Sequence, residues 1–85
     1  MGRTLLLLSR PGCGLCREMH TVVERLRGEF SLELVERSIA DDPALLERYA
    51  HEIPVLLLGE TELARHRVAE SDLRARLRAL GVSKA

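Results

Sequence analysis

Four consecutive leucines, Leu5 to Leu8, stand between Thr4 and the turn-forming stretch Ser9-Arg10-Pro11-Gly12. A strand with one solvated face alternates apolar and polar residues, so an unbroken apolar run ended by Pro and Gly reads as a strand buried on both faces. Such a strand must lie inside a sheet that carries helices on both sides. The chain is therefore expected to be α/β, with Thr4 to Leu8 as its central strand. The run is far too short for a membrane span or a signal-peptide core.

The next segments fit the same frame. Leu15, Met19, Val22, Val23 and Leu26 recur at helical spacing, and Gly28 follows as a stop, giving a first helix of about three turns. Ser31 to Arg37 places Leu32 and Leu34 on one face and reads as a second strand, so strand, helix and strand form a parallel crossover. Asp42-Pro43 is an N-cap followed by proline at the first helical position, with Leu45, Leu46 and Tyr49 as the apolar stripe of a short helix that must end before Pro54. Val55 to Leu58 is a third strand, and Gly59-Glu60 turns it into a fourth, Thr61 to Arg67, as an antiparallel hairpin. Ser71 is read as the cap of a last helix, with Glu70 and Asp72 at its start, Leu73, Leu77 and Leu80 facing inward, and Gly81 at its end. The expected order is βαβαββα, a four-stranded mixed sheet with two helices on one face and one on the other.

At 85 residues the chain has room for one domain, 1–85, and for one compact site. Thirteen basic and thirteen acidic side chains cancel to zero net charge, which argues against nucleic acid or an acidic membrane as partner. Two cysteines three positions apart cannot be the disulfide framework of a secreted mini-protein. A cytoplasmic monomer is the expectation.

Those cysteines, in Cys13-Gly14-Leu15-Cys16, fall where the first strand runs into the first helix. The nucleophile of disulfide exchange is the thiolate, and a sulfur at a helix N-terminus meets unpaired N–H groups and the positive end of the helix dipole. Cys13 is expected to be the exposed, attacking thiol, and Cys16, one turn deeper on the same side, the resolving thiol. The cycle needs no metal or organic cofactor. Arg10 and Arg17 are placed to support the thiolate, the alternative for each being a solvated surface arginine. His20, four beyond Cys16, is either a proton acceptor for that thiol or a solvated histidine. Ile53-Pro54 is expected to sit across from the cysteine turn, where a cis bond would hold the backbone open for a substrate strand, the alternative being an ordinary trans proline at a strand start.

Element order, the CxxC at the first strand–helix junction and Ile53-Pro54 before the third strand together resemble the glutaredoxin and thioredoxin families, over nearly the whole chain. The likeness is greatest to compact glutaredoxin-like proteins whose CxxC follows a leucine-rich first strand. The resemblance implies a thioredoxin-like fold, disulfide oxidoreductase activity, Cys13 as nucleophile and a cis proline at Pro54, and Arg10 matches a basic residue common in glutaredoxins. Glutaredoxins bind glutathione through a threonine-valine-proline segment and a double glycine followed by aspartate. Here these read Glu52-Ile53-Pro54 and Val68-Ala69-Glu70-Ser71-Asp72, so only the proline and Asp72 are retained, and Glu52 adds negative charge. Glutathione is thus one candidate co-substrate among others. A disulfide-bearing protein, another small thiol, or a thioredoxin-type reductase as electron donor are equally open.

Three other classes compete. Cys13, Cys16 and His20 would supply three zinc ligands, one short of a structural site, with His51 and His66 far along the chain. The resemblance also allows an iron–sulfur cluster bridged between two copies, or a binding module without catalysis.

Overall fold

The computed structural model describes residues 3–85. Seven elements follow in the order β1 (Arg3–Ser9), α1 (Gly14–Arg27), β2 (Leu32–Ser38), α2 (Pro43–Tyr49), β3 (Val55–Leu58), β4 (Thr61–Arg65) and α3 (Glu70–Ala79). The sheet order is β2-β1-β3-β4, with β1 parallel to β2 and β3 antiparallel to both β1 and β4. The leucine run occupies an interior strand of a mixed sheet, as its composition requires.

Alternation along β1 divides the core in two. Leu5 and Leu7 pack with Met19, Val23 and Leu26 of α1, Leu56 and Leu58 of β3, and Leu73 and Leu77 of α3. Leu8 faces the other way and joins Cys16, Ile39, Ile53 and Val55, with Leu6, Leu45 and Tyr49 packed against them. Two helices thus cover one face and α2 the other, which is the thioredoxin-like α/β arrangement. Because β1 is apolar on both sides, a one-residue slip still turns leucines to both faces and displaces the core only at the ends of the run, so its own pattern sets register weakly and its neighbours set it more. Glu33, Val35 and Arg37 of β2 are exposed while Leu32 is buried, so β2 has a proper face and fixes the pairing.

Helix α2 begins as its residues dictate: the Asp42 carboxylate accepts the N–H groups of Ala44 at 3.1 Å and Leu45 at 3.2 Å, and Pro43 occupies the first helical position. Four sequence expectations are corrected. Helix α3 is capped by Ala69 with no side-chain bond, and Ser71 lies inside its first turn. A backbone already aimed by the preceding loop leaves the serine hydroxyl out of the capping position. Leu80 is 43 % exposed, since the helix ends at Ala79 and the chain turns away through Gly81 at φ +73°. Leu46 is likewise exposed, because a helix of two turns presents only one narrow stripe to the sheet. Strand β4 stops at Arg65, because His66 takes φ +63°, a left-handed conformation that ends regular pairing.

Beyond α3 the chain returns to the start of β2. Ser31 N–H donates to Ser83 O at 2.7 Å and Ala85 N–H to Glu29 O at 3.1 Å, around a single bridge between Phe30 and Lys84. Glu29 in that turn accepts from Arg74 Nε at 2.7 Å. The Arg74 hydrogen bond holds the Glu29 carboxyl below its ordinary value. Among the described residues no helix is long and apolar enough to cross a membrane.

Candidate active site

The turn after β1 determines where the sulfurs lie. Gly12 sits at φ +77°, where an L side chain is strained, and the reversal it permits delivers Cys13 to the N-cap of α1 in extended conformation. Cys13 Sγ accepts the N–H of Cys16 at 3.2 Å, the bond a serine or aspartate oxygen usually makes at a helix start. No acidic residue occupies the first turn of α1, so no carboxylate in that turn offsets the positive potential there.

Cys13 and Cys16 are joined as a disulfide with Cα atoms 5.2 Å apart. They are not equivalent. Cys16 is 3 % exposed among Leu8, Ile39, Ile53 and Val55, whereas Cys13 is half-buried at the rim of that cluster. An incoming sulfur meets Cys13 first.

Ile53-Pro54 is a cis peptide, both residues are buried, and Ile53 belongs to the Cys16 cluster. Asp72 lines a neighbouring cleft with Glu62, Arg65, Arg67 and Arg76, whose lining includes neither cysteine. Arg10 and Arg17 are exposed, and neither has a carboxylate within 4.0 Å among the described residues. His20 Nε2 lies 3.7 Å from Glu36 Oε1, and the other oxygen of that carboxylate accepts from the buried Ser9 hydroxyl at 2.7 Å. The histidine is thus held toward β2. Among the described residues no three Cys, His, Asp or Glu side chains converge as a metal-binding group.

Glu52 does not stand as a free negative charge. Arg65 Nη1 donates to its carboxylate while Arg65 Nε and Nη2 bind both oxygens of Glu62. The Glu62 carboxyl is held below its ordinary value, chiefly by the hydrogen bond from Arg65.

One feature of the site left no mark in the sequence. Leu15, between the cysteines, lines a cleft of about 210 Å³ with Glu18, Met19 and Val22 of α1 and with His66, Arg67 and Val68 of the β4–α3 loop. That loop is pinned by His66, whose N–H donates to Pro54 O at 2.8 Å and whose Nε2 lies 3.0 Å from His51 O. A non-glycine residue in the left-handed region has no reliable signature, so neither the bend nor the cleft wall was legible beforehand.

The chain is similar to two solved structures at 29 % identity. Protein XcR50 from X. campestris aligns over 88 % of this chain and 96 % of its own, with a TM-score of 0.76. Protein Ne2328 from Nitrosomonas europaea aligns over 87 % and 89 %, with a TM-score of 0.74. A malarial protein at 22 % identity and TM-score 0.67 shares the fold, over 93 % of this chain and 97 % of its own. The family model described as a glutaredoxin-like domain (DUF836) matches residues 4–78, which spans β1 through most of α3 and includes both cysteines and Pro54. The chain belongs to the glutaredoxin-like domain family.

Proposed function

We propose that the protein is a dithiol thiol–disulfide oxidoreductase. The carrying observation is the unequal placement of two bonded sulfurs: Cys13 at the helix N-cap within reach of substrate, and Cys16 buried one turn behind it. In the reduced protein the Cys13 thiolate attacks one sulfur of a substrate disulfide. A bond forms between Cys13 Sγ and that sulfur, and the other leaves as a thiolate. Cys16 then loses its proton and attacks Cys13 Sγ, which releases the second substrate sulfur and closes the Cys13–Cys16 bond. Two electrons pass to the substrate.

The residues around the pair have definable tasks. The Cys16 N–H and the helix dipole favour the ionised form of Cys13, and Arg10 and Arg17 add positive potential without carboxylates to neutralise them. Ile53 and Pro54 form the wall against which a substrate segment lies. Protein disulfides and low-molecular-weight thiols are the substrate classes. Glutathione or a thioredoxin-type reductase returns the pair to the dithiol, in a reducing compartment such as the cytoplasm. No bound cofactor enters either step.

The test uses two variants against a disulfide substrate. Cys13→Ser is expected to abolish reduction, and Cys16→Ser to accumulate a covalent mixed disulfide visible by mass spectrometry. The opposite assignment of these two outcomes would overturn the roles, and full activity in both variants would overturn the reading.

A further inference from the structure

The chain has no net charge, yet its positive charge is unevenly satisfied. Arg25, Arg27, Arg37, Arg65, Arg74 and Arg78 each have a carboxylate within 4.0 Å. Arg48 lies over the Tyr49 ring and Arg76 donates to Leu63 O. Among the described residues that leaves Arg3, Arg10, Arg17 and Arg67 without a side-chain partner. Three of these four are beside the redox pair: Arg10 precedes it in the β1–α1 turn, Arg17 follows it on α1, and Arg67 walls the cleft that Leu15 shares.

The cleft supplies a second, independent restriction. Leu15, Met19, Val22 and Val68 give it an apolar floor, and its polar walls are Arg67 and His66 on one side and Glu18 on the other. Leu15 lies between the cysteines, so an occupant of the cleft is held next to the sulfur that reacts. A small polar thiol has no apolar side chain to fill such a floor, whereas a polypeptide segment does. Glu18 is the one carboxylate lining this cleft, and of the acidic groups flanking it Glu62 is bound by Arg65 and Glu36 by Ser9 and His20, so the three arginines without a carboxylate within 4.0 Å give the site a positive character that attracts an acidic segment.

Resting on the redox reading above, we infer that the substrate is an acidic polypeptide disulfide: an apolar side chain near its cysteine fills the Leu15–Val68 cleft, and carboxylates beside it meet Arg67, Arg10 and Arg17. Arg67 sets specificity through charge. It takes no part in the bond exchange.

The experiment measures single-turnover rates of the full-length reduced protein with synthetic peptide disulfides. One peptide carries leucine two positions from its cysteine followed by two glutamates; a second has lysines for the glutamates; a third has glycine for the leucine. The expected result is that the acidic leucine peptide reacts about tenfold faster than the lysine peptide at low salt, with the difference collapsing at high salt. The glycine peptide should be slower by about tenfold at any salt. Arg67→Glu should invert the glutamate-to-lysine preference, a ratio that cancels any general loss of activity. Equal rates for the three peptides, a preference unmoved by Arg67→Glu, or glutathione disulfide outpacing the acidic leucine peptide at equal concentration would overturn the inference. A small neutral aromatic disulfide separates the two levels of argument: failure to react with it sinks the redox reading, while reaction with it and no discrimination among peptides sinks only the inference.

Discussion

Reducing the Cys13–Cys16 bond should change stability by an amount that depends on pH, and the size follows from the position of the two sulfurs. The cysteines are three apart in sequence, so the bond closes a ring of four residues. Chain entropy alone then makes the oxidised protein about 2 kcal/mol more stable than the fully protonated reduced one. Ionisation of Cys13 opposes this. A thiolate that accepts the Cys16 N–H at the helix start gains about 1 kcal/mol from the dipole, and it gains this only in the folded chain. The folded sulfur therefore loses its proton at lower pH than the unfolded one, which titrates near the ordinary value of about 8.5. Between those two points the unfolded state binds more protons, so reduced-state stability rises with pH and is lost as pH falls through the folded value. The oxidised cysteines do not titrate, so subtracting the oxidised curve cancels every ionisable group except the two thiols, and Cys16, buried among apolar side chains, opposes the effect only as pH approaches about 8.5.

Urea unfolding followed by far-ultraviolet circular dichroism, with and without a phosphine reductant, reads the difference directly. The oxidised-minus-reduced gap should be about 2 kcal/mol near pH 5, roughly 8–16 °C in Tm, and should narrow by about 0.4 kcal/mol near pH 8, where the Cys13 thiolate contribution is only partly present. A gap that stays constant over that range would refute the claim that the folded state favours the Cys13 thiolate.

Two further outcomes test the frame that holds the site. Leu77→Ala, at a fully buried position where α3 packs on the α1 face of the sheet, should cost about 3–5 kcal/mol in thermal or urea unfolding while leaving peptide disulfide exchange unchanged below the transition. Glu29 is held below its ordinary value of 4.5 by the Arg74 hydrogen bond, so its contribution is present above that value and lost as pH falls through the folded one. Glu29→Gln should consequently flatten the acid limb of the stability curve below pH 4.5, and acid limbs parallel to those of the unmodified protein would contradict the assignment.

Much of this architecture is written locally. The leucine run can only be an interior strand, Asp42-Pro43 makes its own helix start, and the CxxC is already placed by the Pro-Gly turn before it. What escaped depends on distant partners. Ser71 has the right chemistry for a cap, but the loop from His66 to Ala69 brings Ala69 to that position. Glu52 reads as an uncompensated charge until Arg65, thirteen residues on, is seen bound to it. His20 is singled out by its spacing from Cys16, while its engagement with Glu36 depends on the parallel pairing of β1 and β2. The cleft beside Leu15 is the extreme case, since one of its walls is the loop that begins at His66, a non-glycine residue in a left-handed turn.

Everything chemical here depends on the first sulfur of the pair being ionised near neutral pH. The direct measurement is the rate of alkylation of Cys13 by iodoacetamide in the reduced Cys16→Ser protein, followed by mass spectrometry across a pH series. The rate is expected to reach half its plateau below about pH 8.5, the midpoint of an ordinary cysteine. A midpoint at or above that value would contradict that expectation.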